Sequence, residues 1–255
     1  MTSRSQEWGH GSKRRESGSV SARAAWGVLL FAMLFPSFAT WLWFVVFAGA
    51  PTMRLVYAVS KGIQFALPIA WGLAARDRRA YPIAAPERGA GLGGGIAFGL
   101  AAAGAILAAY ALVFRGADVL GGAPAEIAAK VEQLGLATPL GFLGLAAFYS
   151  IAHSGLEEYY WRWFVFGRLR RLVSPRAAVW LSAAAFTAHH VIVLWVYFRH
   201  APWMVALTSA AVAIGGAFWA GLYDRSRSVR GPWVSHLLVD AALMTIGYDL
   251  LWPVL

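Results

Sequence analysis

The sequence predicts an all-α protein, a polytopic membrane bundle of about seven transmembrane helices. Three observations carry that expectation. Only 13% of its 255 residues are charged, against roughly 25% in soluble domains. Hydrophobic residues make up 59% of the chain. They fall in runs of about 20 residues or more, the length a helix needs to cross hydrocarbon. The chain has no cysteine, which excludes disulfides, thiolate metal sites and thiol nucleophiles. A net charge of +10 would suggest nucleic acid in a soluble protein. Here the arginines cluster in the gaps between apolar runs, so membrane topology accounts for them. The lipid bilayer is an expected partner and nucleic acid is not.

Residues 1–24 are polar and basic and read as a disordered cytoplasmic tail. Residues 25–255 form one transmembrane domain. The first run, Trp26 to Ala50, is too long for a signal-peptide core and reads as an uncleaved helix. Further spans are expected at Met53–Ala75, Gly91–Phe114, Leu140–Phe166, Arg176–Phe198, Pro202–Tyr223 and Pro232–Leu251. Pro175, Pro202 and Pro232 are placed at first helical positions, with Ser174 as an N-cap. Pro36 and Pro68 fall inside spans, where membrane helices tolerate them. Gly91, Gly95 and Gly99 make a small-residue packing face. The segment "PAEIAAKVEQLGL" predicts a short amphipathic helix lying in the interface. Trp26, Trp180, Trp219 and Trp233 are placed at one membrane surface and Trp195, Trp203 and Trp252 at the other, as an aromatic belt.

Basic residues alternate between loops. The tail holds Arg4, Lys13, Arg14, Arg15 and Arg23, and Arg76, Arg78, Arg79 and Arg88 follow the second span. Arg168, Arg170, Arg171 and Arg176 follow the fourth, and Arg225, Arg227 and Arg230 the sixth. The opposite loops hold only Arg54, Arg115, Lys130 and Arg199. Positive charge stays inside, so the N-terminus is expected in the cytoplasm and the C-terminus outside.

Ionisable residues within spans mark functional sites. His153, Glu157, Glu158 and Arg162 lie in the fourth span, His189 and His190 in the fifth, His236 and Asp240 in the seventh, and Lys61 alone in the second. At about 1.5 Å per residue, Glu157 lies roughly 17 Å from Arg168 and His190 roughly 21 Å from Arg176. His236 and Asp240 lie roughly 9 and 15 Å in from Arg230. Groups from three helices thus reach compatible depths. His236 and Asp240 are four apart and share a face. Glu158 and Arg162 are four apart with the acid first, the favourable order for an ion pair. That pairing leaves Glu157 free to face elsewhere. Of the neighbours His189 and His190, only one is expected to point at a given partner. His153 reads as a packed, hydrogen-bonded histidine, and Lys61 as paired or snorkelling with no assigned role. Two carboxylates and several imidazoles around one buried spot can activate water or hold a divalent metal such as zinc. Interhelical hydrogen bonding is the bland alternative, but such glue uses Ser, Thr, Asn or Gln rather than two buried acids.

Three motifs then stand in order. "EEYYWR" has the form E-E-x-x-x-R, "FTAHH" the form F-x-x-x-H, and "HLLVD" the form H-x-x-x-N/D. Together, from Glu157 to about Ala241, they resemble the CPBP family of intramembrane proteases, the CAAX-processing and bacteriocin-processing group. The motif-bearing core is placed at about 139–253. The resemblance implies a glutamate-dependent endopeptidase of the bacterial inner membrane, acting on a membrane-anchored peptide or protein. It implies that Glu157 and His190 polarise the attacking water. It implies that His236 and Asp240 bind the oxyanion, with Glu158, Arg162 and Phe186 in support. If a metal is used, Glu157, His190, His236 and Asp240 are its expected ligands. Asp240 departs from the commoner Asn. An ionised Asp repels an oxyanion, so Asp240 must be protonated, paired with His236 or on a metal.

Buried Glu and His also build proton relays in transporters. That reading predicts inverted repeats, and the sequence shows no convincing repeat. A serine protease built on Ser154 lacks the glycine expected two residues before it. A non-catalytic membrane scaffold keeps the motifs without turnover. Convergence of Glu157, His190, His236 and Asp240 on one cavity discriminates among these readings.

Overall fold

The computed structural model describes residues 21–74 and 89–252. Eight helices follow one another among them, and no strand occurs among them. They are α1 Ala22–Val46, α2 Met53–Ala74, α3 Leu92–Phe114, α4 Ala123–Leu134, α5 Pro139–Leu169, α6 Pro175–Phe198, α7 Pro202–Ser226 and α8 Arg230–Leu251. All but α2 and α4 are long and apolar enough to cross a membrane. α2 has the length, but it carries Arg54, Lys61 and Gln64. The all-α membrane bundle is therefore the fold found. Most of the basic tail, with Arg76, Arg78, Arg79 and Arg88, lies outside the described residues.

Local chemistry sets the helix ends. Ser174 Oγ accepts the Ala177 N–H at 3.3 Å, and Pro175 opens α6. Thr138 caps α5 in the same way, with Pro139 behind it. Pro202 opens α7. Pro232 does not open the last helix, which begins at Arg230. It sits in the first turn, where N–H groups have no intrahelical acceptor and its missing donor still costs nothing.

Pro36 lies inside α1. It has no N–H to give the carbonyl four residues back, that of Ala32. The Tyr160 hydroxyl takes that place, donating to Ala32 O at 2.7 Å. This bond ties α1 to α5.

α5 is the centre of the bundle. Its Tyr160, Trp161, Phe164, Val165 and Phe166 form the main core with Leu29 of α1, Phe186 of α6 and Trp219 of α7. The helix is not uniform. Wide π turns at Phe148–His153 and Tyr159–Phe166 enclose one α turn, Ser154–Glu158. Such turns often mark functional sites.

The glycine face of α3 meets α8. A Cβ on Gly95 would overlap the Gly231 carbonyl, and one on Gly99 would stand 2.9 Å from Ser235 Cα. The two backbones touch, as small-residue membrane seams do.

The expected amphipathic helix is α4. It buries Ala128 and Val131 against Phe142 and Leu251. Several contacts gather at this end of the bundle. Arg54 Nε donates to Gln133 O at 2.9 Å, and Arg199 reaches Glu126 at 3.4 Å. Lys130 sits 4.6 Å above the Trp43 ring. The other end holds the Arg170–Asp224 pair at 2.8 Å and the meeting of Gly91 with Ser226. The loops thus sort into the two sets whose basic residues alternate.

Candidate active site

Adjacent residues of a helix point about 100° apart, and Glu157 and Glu158 use that divergence. Glu158 turns into the core, where it is 0% exposed. Its Oε1 meets Arg162 Nη1 at 2.9 Å, the expected pair. The same oxygen accepts the His236 Nδ1–H at 2.8 Å, a bond the sequence did not announce. The Arg162 guanidinium is 1% exposed and lies between two rings, 4.6 Å from Phe186 and 4.9 Å from Trp219. A desolvated cation over aromatic faces is held by their quadrupoles. Phe186 therefore supports the site through Arg162.

His236 stacks on Trp219, with centroids 4.3 Å apart and planes 18° from parallel. Trp219 is locked in turn, its Nε1–H donating to Ser235 Oγ at 2.9 Å. Its expected place in an aromatic belt is thus overturned: it is 4% exposed and buried beside the site. Trp180, Trp195 and Trp203 are exposed. Because Nδ1–H of His236 is committed to Glu158, Nε2 faces the other acids. It lies 3.6 Å from Asp240 Oδ1 and 3.9 Å from Glu157 Oε2.

Glu157 faces a ring of imidazoles. His189 Nε2 is 3.6 Å and His153 Nε2 3.9 Å from its Oε1. His190 is anchored by Nδ1–H to Phe186 O at 2.9 Å, which leaves Nε2 as its free nitrogen. Of the neighbours His189 and His190, His189 makes the close approach to Glu157. Glu157, His189 and His190 each offer an atom within 4.8 Å of the others. The two rings fan out from adjacent positions with centroids 4.1 Å apart. His153 is packed as expected, 4.9 Å from the Tyr149 ring.

These groups line one cavity of about 190 Å³. Glu157, His190, His236 and Asp240, the four expected residues, all contribute to it. So do Lys61 and Gln64 of α2. Lys61 does not snorkel: its Nζ donates to Gln64 Oε1 at 3.3 Å within the cavity wall. The signal for this pair was present, an amine and an amide three apart on one face of a span. It was passed over because no motif named it.

The donor set suits a divalent metal. One carboxylate and two imidazoles, two of the three residues buried, match the ligands zinc prefers. The tight cluster is Glu157, His189 and His190. His189 enters it, while His236 and Asp240 of the expected set stand beside it.

Residues 139–242 match the Rce1-like family of type II CAAX prenyl endopeptidases. The match opens at the first residue of α5 and closes just past Asp240, so it holds all three motifs. No curated protein and no solved structure matches the chain. Residues 139–242 of this integral membrane protein are thus similar to the type II CAAX prenyl endopeptidases, consistent with the CPBP group.

Proposed function

We propose that the protein is an intramembrane endopeptidase that cleaves a membrane-associated peptide or protein, a CAAX-type or sorting-tail-like substrate, with water activated by Glu157 and His190. The observation that carries the reading is convergence. Residues from α5, α6 and α8 that are far apart in sequence, and that are matched by one family, line a single cavity.

In this reading a water sits between Glu157 and the free Nε2 of His190. Glu157 takes its proton, as a positioned general base does. The hydroxide adds to the scissile carbonyl carbon and the carbonyl electron pair moves to oxygen. His236, held by Glu158 and Trp219, stands beside that oxygen with its Nε2 turned to Asp240. The intermediate collapses, the C–N bond breaks, and Glu157 returns the proton to the leaving amine. A divalent ion, held by Glu157, His189 and His190, would supply Lewis acidity to the water and the carbonyl. The arginines between α5 and α6 and between α7 and α8, with those of the basic tail, support a cytoplasmic N-terminus in a bacterial inner membrane.

The test is cleavage of a membrane peptide by purified protein in liposomes. Glu157→Gln keeps the side-chain shape but removes the base. It is expected to lower turnover by at least about 10²-fold, the low end for a general base, with an unchanged melting temperature. Wild-type turnover in the variant would end this assignment.

A further inference from the structure

We propose that Lys61 and Gln64 of α2 form the oxyanion-binding side of the cavity, supplying the hydrogen-bond donors that Asp240 lacks. This inference rests on the endopeptidase reading and deepens it. An ionised carboxylate accepts hydrogen bonds and donates none. As the ionised partner of His236, Asp240 cannot stabilise charge that develops on a carbonyl oxygen, and it opposes such charge at close range. Stabilisation of that charge needs donors already in place, aimed where the oxygen will be.

The walls from α5, α6 and α8 are short of them. Glu157 and Glu158 are acids. The Nδ1–H of His190 is bound to Phe186 O, and that of His236 to Glu158. The Nε2 of His189 faces Glu157. The Tyr57 and Tyr149 hydroxyls engage one another at 3.5 Å.

The α2 wall differs. Lys61 brings a cation to the cavity with three N–H donors. One of them meets Gln64 Oε1 at 3.3 Å. That bond fixes which way the amide turns. Gln64 is 1% exposed, it lines the same cavity, and its Nε2 has no hydrogen-bond partner among the described residues. Native proteins seldom bury a donor without an acceptor. An acceptor that arrives with the substrate resolves the anomaly. When hydroxide adds to the scissile carbon, the electron pair that moves to oxygen is met by the Lys61 ammonium and the Gln64 amide. Both keep their protons, and the proton from water stays on Glu157 until the amine leaves.

The experiment measures kcat and KM in liposomes for wild type, Glu157→Gln, Lys61→Met, Lys61→Arg, Gln64→Leu and Asp240→Asn, and for each α2 change combined with Asp240→Asn. Cleavage by wild type and its loss in Glu157→Gln establish the underlying reading on their own. Given that, Lys61→Met is expected to lower kcat about 100-fold, the scale of one oxyanion donor, with KM within about threefold. Lys61→Arg should recover most of the loss. With Asp240→Asn present, an amide donor is restored and the cost of Lys61→Met should shrink to under about tenfold. Gln64→Leu should follow the same pattern. Wild-type kcat in both α2 variants, a loss confined to KM, or an equal loss in both backgrounds would overturn the proposal. If Lys61→Met fails to fold in detergent melts, Lys61→Arg and Gln64→Leu in the two backgrounds carry the same comparison.

Discussion

Glu158 serves two cations' worth of donors from one oxygen, Arg162 Nη1 at 2.9 Å and His236 Nδ1 at 2.8 Å. Neither acid nor guanidinium touches solvent. Removing one partner of such a pair leaves an uncompensated buried charge, which costs about 3–5 kcal/mol. Arg162→Met should therefore lower the unfolding free energy of detergent-solubilised protein by about that amount. The double change Glu158→Gln with Arg162→Met should regain much of it, as read by thermal or denaturant melts. This pair was legible because acid and base stand four apart in the favourable order. The His236 bond was not, because it depends on a ring whose plane is set by Trp219 of another helix. Trp219 itself was misplaced because a span has two faces and a tryptophan fits either. Lys61 was legible as a paired amine, but its partner Gln64 was not, because a lone amine says nothing about the amide beside it until the cavity is seen.

Among the elements, α5 departs furthest from what periodicity can show. Its π turns change the angular step on both sides of Ser154–Glu158, and no residue pattern announces a wide turn. The seam between α3 and α8 is the opposite case. Glycines at fourfold spacing predicted close packing, and the backbones touch at Gly95 and Gly99. A side chain at Gly95 has no space, since its first carbon already overlaps the Gly231 carbonyl. Gly95→Leu should abolish the folded protein or destabilise it by more than about 3 kcal/mol, beyond ordinary overpacking. Gly104, with nothing within 4 Å of a Cβ, should accept Leu with little change. Yield and melting temperature of the two variants check this. Because α8 carries His236 and Asp240, damage to the seam should also cost activity in any Gly95 variant that survives.

For the whole molecule, apolar runs gave an expectation of about seven spans, and six of the described helices qualify; α2, with Arg54, Lys61 and Gln64, does not. The absence of cysteine makes topology easy to test. Asp118→Cys, at the α4 end, should react with an impermeant maleimide added to intact cells. Arg176→Cys, at the start of α6, should react only after permeabilisation. The reverse pattern would invert the orientation. The cavity adds a point of scale. About 190 Å³ is below the roughly 300–1,000 Å³ of sites that enclose a drug-sized ligand. The family match covers α5 to most of α8 and leaves α1–α4 unmatched. Yet those unmatched helices supply Lys61, Gln64 and the glycine seam, which is why motif reading found the acids and imidazoles and left the far wall blank. The seam also fixes an order during synthesis. α3 leaves the ribosome long before α8, and at about 5–20 residues per second the delay is on the order of ten seconds. Late in that interval the nascent chain has Glu157 but neither His236 nor Asp240. The candidate site is therefore completed by α8, the last of the described helices to be made.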